Sequence, residues 1–211
     1  MREERIVVAG RELVIARPDD PEALIDEERF AEDEFMPYWA ELWPSGLALA
    51  EYVAQLDLAG RRVLELGCGL ALPSFAAGVV GAADVVATDW AAEALSLVAA
   101  NAEGNSLRIE TALVDWQAPP PSLCGFDLVL AADVLYEERN AVALLATFSA
   151  ATSARGTVLI ADPGRRHAAA FFDGAGADGW SIEHVATDRL PSGGISILRK
   201  AASQEATETL C

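Results

Sequence analysis

From Arg61 onward, short apolar runs alternate with longer runs of helical periodicity. The short runs, which we expect to be strands, are Val63–Leu66, Asp84–Thr88, Ile109–Val114, Phe126–Ala131 and Thr157–Ala161. The longer runs, which we expect to be helices, are Pro73–Val80, Ala91–Ala102, Arg139–Ala151 and Arg165–Ala175. Strands that alternate with helices of this length form β-α-β units, and continuous apolar strands are buried on both faces. The pattern predicts an α/β fold with a doubly wound, mostly parallel sheet.

Both ends of the chain depart from this alternation. Ser181–Ala186 and Gly194–Leu198 are strand-like and have only a short turn between them, so they must be antiparallel. We therefore expect seven strands with the last strand antiparallel. Near the start, the residues around Ala9-Gly10-Arg11 predict an N-terminal β-hairpin, and Leu47–Leu56 predicts a helix. The expected organisation is an N-terminal hairpin and helical extension at 1–58, a main domain at 59–200 and a disordered tail at 201–211.

The composition narrows the class of protein. With 211 residues, of which 52% are hydrophobic and 23% charged, the chain has the size and composition of one globular domain. We expect neither a membrane span nor a signal peptide, because no apolar run approaches roughly 20 residues and the first residues lack an apolar core. We expect a cytoplasmic monomer that does not bind membranes. The three cysteines and two histidines lack metal-ligand spacing, so we expect no metal.

The charge is strongly acidic, with a formal net charge of −18. Such a chain repels phosphate backbones, so nucleic acid is not an expected partner. Nine acids lie between Asp19 and Glu34. This stretch either attracts a basic protein or forms a solvated helix face that aids solubility, and the sequence alone favours the second interpretation.

The first predicted strand of the main domain runs into a glycine turn and then a helix, in the segment Val63-Leu-Glu-Leu-Gly-Cys-Gly-Leu-Ala-Leu-Pro-Ser74. Gly67 and Gly69, on either side of Cys68, permit a tight turn and the close approach of a ligand. The helix that follows offers unpaired N–H groups. Glu65, near the end of the strand, can reach into the same crevice.

The next two strands end in further candidate ligand contacts. Asp89 lies 20 residues beyond Gly69, where an acid typically accepts hydrogen bonds from ribose hydroxyls, and Trp90 follows it. Asp115 and Trp116 end the third strand, where an aromatic ring can cover an adenine. The carboxyl ends of parallel strands meet at the sheet edge where open α/β folds bind ligands. These residues predict a site for an adenosyl cofactor.

An NAD(P)-dependent oxidoreductase is the competing interpretation of this turn. Its fingerprint requires a third glycine at position 72, where this chain has Leu72, and no Tyr-Lys proton relay is evident. The sequence therefore favours S-adenosylmethionine over a dinucleotide. Only binding of NAD(P)H would support the interpretation as an oxidoreductase.

Taken together, these motifs resemble the family-16 methyltransferases, which have the class I methyltransferase Rossmann-like fold. The resemblance covers about residues 35–164, and its most diagnostic element is Asp133-Val-Leu-Tyr136, which matches the family's Asp-x-x-Tyr motif. Members largely methylate lysines on specific proteins, including chaperones and an electron-transfer flavoprotein subunit. Ala161-Asp-Pro-Gly-Arg165 is similar to the branch that modifies the flavoprotein.

The resemblance implies an S-adenosylmethionine-dependent N-methyltransferase that acts on lysine in a protein with a basic surface. With the strand-end residues above, the expected cofactor contacts are Trp43, Glu65, Gly67, Cys68, Gly69, Asp89, Trp90, Asp115, Trp116 and Ala132. Asp133 and Tyr136 are the expected catalytic residues, Asp133 orienting the lysine ammonium and Tyr136 offering its hydroxyl and a ring wall. A small-molecule N-methyltransferase and a non-catalytic adenosyl-binding subunit stay open as alternatives. Family members often have glycine where this chain has Ala71.

Overall fold

A computed structural model describes residues 1–21, 23 and 37–200. Most of the acidic stretch between Asp19 and Glu34, and the predicted tail at 201–211, lie outside the described residues. The strands are β1 (Arg2–Val8), β2 (Arg11–Arg17), β3 (Arg62–Leu66), β4 (Asp84–Asp89), β5 (Glu110–Leu113), β6 (Phe126–Ala132), β7 (Thr152–Asp162), β8 (Trp180–Val185) and β9 (Gly194–Lys200). The helices are α1 (Pro44–Val53), α2 (Leu72–Val79), α3 (Ala92–Gly104), α4 (Glu138–Ala151) and α5 (Ala168–Ala177), with a short 3₁₀ helix at Tyr38–Ala40.

Seven of the described strands form one sheet in the order β5-β4-β3-β6-β7-β9-β8. The pairs from β5 through β7 are parallel, whereas β9 is antiparallel to both β7 and β8. This is the predicted α/β arrangement, a class I methyltransferase sheet with the last strand antiparallel. The chain moves outward from β3 to β4 and β5, then returns to place β6 on the other side of β3. The order therefore reverses between β3 and β6, and ligands bind α/β sheets at such a switch point.

The central strands bury both faces, because successive side chains point to opposite sides of the sheet. On one face, Val63 and Leu130 pack with α1, α2 and α3. On the other face, Leu64 and Val129 pack with α4 and α5. Helices on both faces make the sheet doubly wound, as the continuous apolar strands predicted.

The predicted N-terminal β-hairpin is present as β1 and β2, joined by a tight turn at Ala9 and Gly10, both with positive φ. It packs on α3 through two asparagine side chains. Asn101 receives the Ala16 N–H and donates to the Ala16 carbonyl, both at 2.9 Å. Asn105 makes the same pair of bonds with Val14, at 2.9 and 2.8 Å. These amides replace a neighbouring strand along the outer edge of β2 and fix the hairpin to the main domain.

Several predicted boundaries differ from the structure. α1 spans Pro44–Val53 instead of Leu47–Leu56, because Pro44 suits the first turn of a helix. β7 begins at Thr152, directly after α4, and a register shift opposite β6 accompanies its polar first half. α5 begins at Ala168 and not at Arg165, because Asp162 Oδ1 accepts the N–H groups of Gly164 and Arg165 in a turn. No helix in the described part of the chain is long and apolar enough to cross a membrane. The domain boundaries at 58 and 200 stay a prediction.

We predict that Asn101→Ala lowers the free energy of unfolding by roughly 2–4 kcal/mol, because it leaves the N–H and carbonyl of Ala16 without partners in a part-buried interface. Denaturant unfolding measures this change. Ser96→Ala, on the exposed face of the same helix, is the matched control and should stay within about 0.5 kcal/mol of the wild type. An equal effect of the two substitutions would show that the asparagine does not anchor the hairpin.

Candidate functional site

A cleft of about 440 Å³ opens at the carboxyl ends of β3, β4, β6 and β7. Its volume lies within the range of small-molecule and cofactor sites. Eleven of the twelve predicted site residues line it, namely Trp43, Glu65, Gly67, Cys68, Gly69, Asp89, Trp90, Trp116, Ala132, Asp133 and Tyr136. The structure thus gathers the ends of four strands and the segment before α1 around one space.

The glycine turn after β3 forms the floor of the cleft. Gly67 and Gly69 both have positive φ, at 64° and 50°, so the turn needs residues without a β-carbon. A β-carbon on Gly67 would lie 2.8 Å from Trp116 Cζ2, and one on Gly69 would lie 3.2 Å from the Trp39 carbonyl oxygen. The glycines therefore let two tryptophans approach the backbone closely, and they leave room for a ligand beside it.

Asp89 holds this turn in place from the end of β4. Its Oδ2 accepts the Gly69 N–H at 2.9 Å, and its Oδ1 accepts the Ala91 N–H at 3.0 Å. Each carboxylate oxygen can accept a second hydrogen bond, so the side chain can also meet a ligand in the cleft. Burial raises the pKa of Asp89 above its ordinary value, and the N–H bonds from Ala91 and Gly69 oppose that rise.

Glu65 lies in the wall of the cleft, but its carboxyl group is hydrogen-bonded to a residue at the start of α2. Its Oε2 accepts the Ser74 N–H at 2.9 Å and the Ser74 hydroxyl at 2.5 Å. Burial raises the pKa of the Glu65 carboxyl from its ordinary 4.5 to about 8; the Ser74 bonds oppose this rise and the charge of Asp89 adds to it. At neutral pH the carboxyl is therefore largely protonated, and its first role is to close the turn between β3 and α2.

Cys68 lies between the two glycines and is a buried free thiol. Burial, together with the neighbouring carboxyls of Asp89 and Glu65, raises the pKa of the thiol well above its ordinary value. A thiol kept in its neutral form is a poor nucleophile, so it has no covalent role here.

Aromatic side chains from the segment before α1 form one wall of the cleft. Trp43 Nε1 donates to the Tyr38 carbonyl at 2.8 Å, and the two rings meet edge to face. The ring of Tyr38 also meets that of Tyr136 edge to face, with centroids 5.8 Å apart. Tyr38 and Trp39 line the cleft as well. This wall brings the predicted catalytic tyrosine next to the predicted cofactor residues.

Asp133 follows β6 in a backbone conformation that non-glycine residues rarely adopt, with φ at +59°. Its N–H donates to the Ala161 carbonyl at 2.9 Å, which extends the pairing of β6 with β7 by one residue. Its carboxylate accepts two bonds from Arg165, Nε to Oδ1 at 2.8 Å and Nη2 to Oδ2 at 3.1 Å. The sequence predicted a carboxylate that binds an incoming ammonium, whereas the structure shows one that already holds a guanidinium.

Arg165 is the site residue that the sequence analysis did not select. It follows β7, where the sequence allows either a carboxylate-binding group of Arg165, Arg166 and His167 or an exposed helix start, and favours the helix start. The turn that Asp162 caps returns the chain toward β6 and directs the guanidinium to Asp133. An arginine shortly after the end of the strand next to the Asp-x-x-Tyr segment is the signal that could have identified it, because adjacent parallel strands place their ends together.

Asp115 is the predicted cofactor residue that the structure does not bring to the cleft. Its side chain is exposed and its Oδ1 accepts the Gln117 N–H at 2.8 Å, so it stabilises the turn after β5. The neighbouring Trp116 points the other way and lines the cleft. Among the described residues, no group of three or more His, Cys, Asp or Glu side chains could hold a metal ion.

Comparison with known proteins identifies the family. The profile of the lysine methyltransferases matches residues 26–175. This chain belongs to the lysine methyltransferase family. It is 40% identical over 132 residues to an electron transfer flavoprotein beta subunit lysine methyltransferase of Danio rerio, covering 61% of this chain and 51% of that protein. It is 31% identical over 132 residues to the protein N-lysine methyltransferase METTL21A of the same species, covering 57% and 59%.

The fold of this family member also matches solved methyltransferases of low sequence identity. The magnesium protoporphyrin IX methyltransferase of Synechocystis PCC 6803, solved with bound SAH, is 18% identical, with a TM-score of 0.60 over 74% of this chain and 84% of that chain. At that identity the likeness concerns the fold alone. The chain spans about half the length of the curated relatives that it matches first.

The protonated state of Glu65 predicts a pH dependence of stability. Because its pKa is higher in the folded protein than in the unfolded chain, folding retains a proton that the unfolded chain releases between about pH 4.5 and 8. Its contribution is complete below pH 4.5 and is lost as the pH rises through 8, by up to about 1.4 kcal/mol for each pH unit. Denaturant unfolding across this window should show a smaller fall in stability for Glu65→Gln than for the wild type.

Glu93→Gln removes an exposed carboxylate at the start of α3 and serves as the charge-matched control for this series. It should retain the pH dependence of the wild type. Parallel stability curves for the wild type and Glu65→Gln would contradict a protonated Glu65.

Proposed function

We propose that this protein is an S-adenosylmethionine-dependent methyltransferase that modifies lysine side chains of a protein substrate. The observation that carries the proposal is the shared cleft, in which the glycine turn and Asp89 lie on one side and Asp133 and Tyr136 on the other. Membership of the lysine methyltransferase family supports the lysine assignment.

The residues of the cleft fit an adenosyl cofactor. Gly67 and Gly69 present backbone without β-carbons, Trp116 offers an aromatic surface against Gly67, and Asp89 has acceptor capacity at the end of β4. Trp43, Trp90 and Ala132 complete the expected contacts. When bound, S-adenosylmethionine would supply a methyl carbon that its positively charged sulfur activates toward the lone pair of a neutral amine, with the neutral thioether S-adenosylhomocysteine as the leaving group.

The protein must then present a lysine as a neutral amine, in line and shielded from water. A free lysine with a pKa near 10.4 is neutral in only about one molecule in two thousand at pH 7. The rings of Tyr38 and Tyr136 meet edge to face and form a wall along which the lysine side chain can pack, and the Tyr136 hydroxyl can accept a hydrogen bond from the amine N–H. The residues therefore act by positioning, and no nucleophile of the protein is required.

The class of substrate is the part of the proposal that depends most on the relatives. Several are named for the electron transfer flavoprotein beta subunit, and others for different proteins, so the flavoprotein subunit is the first acceptor to test. The net charge of −18 favours a substrate whose lysine lies in a basic surface. Glu41 and Glu137, which line the cleft, support the same choice. The cytoplasmic location and the monomeric state remain predictions from the sequence.

Calorimetric titration tests the cofactor. We expect saturable binding of S-adenosylmethionine and S-adenosylhomocysteine, and none of NADPH. Asp89→Asn should weaken S-adenosylhomocysteine binding about tenfold or more, because the amide replaces one of two acceptor oxygens. Asp115→Asn is the matched control, an exposed strand-end carboxylate outside the cleft, and should retain the affinity of the wild type. Binding of NADPH alone would overturn the proposal.

Transfer of a radiolabelled methyl group tests the reaction. Recombinant electron transfer flavoprotein beta subunit is the acceptor, and mass spectrometry locates the label. We expect label on lysine, with kcat lowered about tenfold or more in Tyr136→Phe while the affinity for S-adenosylhomocysteine is unchanged. Tyr52→Phe, in α1 and outside the cleft, is the control. Label on no protein lysine, in this acceptor or in a cell lysate, would contradict a protein-lysine methyltransferase.

A further inference from the structure

The two-point ion pair between Asp133 and Arg165 lies in the wall of the cleft. The Asp133 side chain is 8% exposed, whereas that of Arg165 is 38% exposed and borders the open space. A guanidinium that meets a carboxylate through two nitrogens fixes both the position and the orientation of the carboxylate. The pair therefore fixes the position and orientation of Asp133, the motif residue that is expected to lie beside the acceptor lysine.

Each member of the pair is held independently of the other. The bond from the Asp133 N–H to the Ala161 carbonyl keeps Asp133 beside the end of β7. The two bonds from Gly164 and Arg165 to Asp162 Oδ1 fix the backbone from which Arg165 extends. Because the strands hold both backbones, the pair is formed before a ligand enters.

The other ionisable groups of the cleft are not cationic. They come from the segment before α1, from β3 and its turn, from β4 and from the segment after β6: Tyr38, Glu41, Glu65, Cys68, Asp89, Asp133, Tyr136 and Glu137. Among the described residues that line the cleft, Arg165 is the one cation. Its two bonds to Asp133 place this positive charge beside the carboxylate that lies three residues before Tyr136.

A lone carboxylate at position 133 would oppose the chemistry of the proposed reaction. A negative charge within hydrogen-bond distance of an amine stabilises the ammonium form, which cannot attack a methyl group. We propose that Arg165 is a positioning residue that orients Asp133 and cancels its charge, so that the acceptor lysine enters as a neutral amine. This inference rests on the proposed function. Asp133 then contributes a carboxylate oxygen as an oriented hydrogen-bond acceptor, and the ion pair of Asp133 with Arg165 carries no net charge.

The test compares three variants by pH profile. Arg165→Gln removes the charge, Arg165→Lys keeps the charge but cannot form the two-point contact, and Arg166→Gln removes the neighbouring exposed charge, which contacts His167 outside the cleft. The acceptor is the recombinant flavoprotein beta subunit, or whichever lysine-bearing protein the wild type methylates. Thermal unfolding and calorimetry with S-adenosylhomocysteine establish that each variant is folded and binds the cofactor product.

The pH dependence of kcat reports groups in the enzyme–substrate complex, and that of kcat/KM reports free enzyme and free substrate. For Arg165→Gln we expect the pH at which kcat is half-maximal to rise by about one unit, with a roughly tenfold loss of kcat at neutral pH. The corresponding midpoint for kcat/KM should not move. Arg165→Lys should keep the wild-type midpoint of kcat with a lower plateau, and Arg166→Gln should match the wild type throughout.

Equal losses of kcat in Arg165→Gln and Arg165→Lys, with neither midpoint moved, would assign Arg165 a structural role and overturn the inference. A midpoint that also moves in Arg166→Gln would do the same, since it would show a general charge effect. If Arg165→Gln does not fold, Arg165→Ala, which also removes the charge, is measured in its place, and an unmoved midpoint of kcat in that variant overturns the inference. A wild type that binds S-adenosylhomocysteine but methylates no lysine refutes the proposed function itself, and that result is distinct from an unmoved profile.

Discussion

The backbone that leaves the sheet after β3 is only partly paired by the neighbouring strand, and buried carboxyl groups pair much of the rest. The Cys68 N–H still donates to the Thr88 carbonyl of β4, but the N–H groups that follow need other partners. Asp89 accepts the N–H groups of Gly69 and Ala91, and Glu65 accepts that of Ser74. The two acids thus join the ends of β3 and β4 to the starts of α2 and α3. The glycine floor of the cleft depends on this join.

The carboxyl groups at this edge of the sheet differ in chemistry because their surroundings differ. Burial keeps Glu65 largely protonated at neutral pH, while Asp89 is buried against two backbone N–H groups. Asp133 is paired with Arg165, and Asp115 is exposed in a turn. The same functional group, a carboxyl, therefore pairs the start of a helix, holds a loop, forms half of an ion pair and stabilises a surface turn. Position in the sheet alone does not distinguish these roles.

The N-terminal hairpin illustrates how the fold supports the cleft from a distance. Its apolar residues Val8, Leu13 and Ile15 belong to the same buried cluster as α1 and α3. Asn101 and Asn105 complete the hydrogen bonding of β2 without a further strand. Since α1 follows directly on the aromatic wall of the cleft, this packing helps to hold Trp43 and Tyr38 where they line the site.

The sequence by itself determined the α/β class, the strand order in the chain and the antiparallel last strand, and eleven of the twelve site residues predicted from it line the cleft. The fold and the residues of the glycine turn and strand ends follow from local patterns, since periodicity, glycine turns and strand-end acids act within a few residues of each other. The other site residues, Trp43, Cys68, Ala132, Asp133 and Tyr136, were expected from the family resemblance. Only the tertiary structure decided that Asp115 faces away from the cleft, that Glu65 is bonded to Ser74 and that Asp133 holds Arg165. The last contact joins residues 32 positions apart, and it exists because β6 and β7 are neighbours in the sheet. Side-chain partners across strands depend on sheet order and on backbone direction at single residues, such as the positive φ of Asp133, and neither property is encoded in the local sequence pattern.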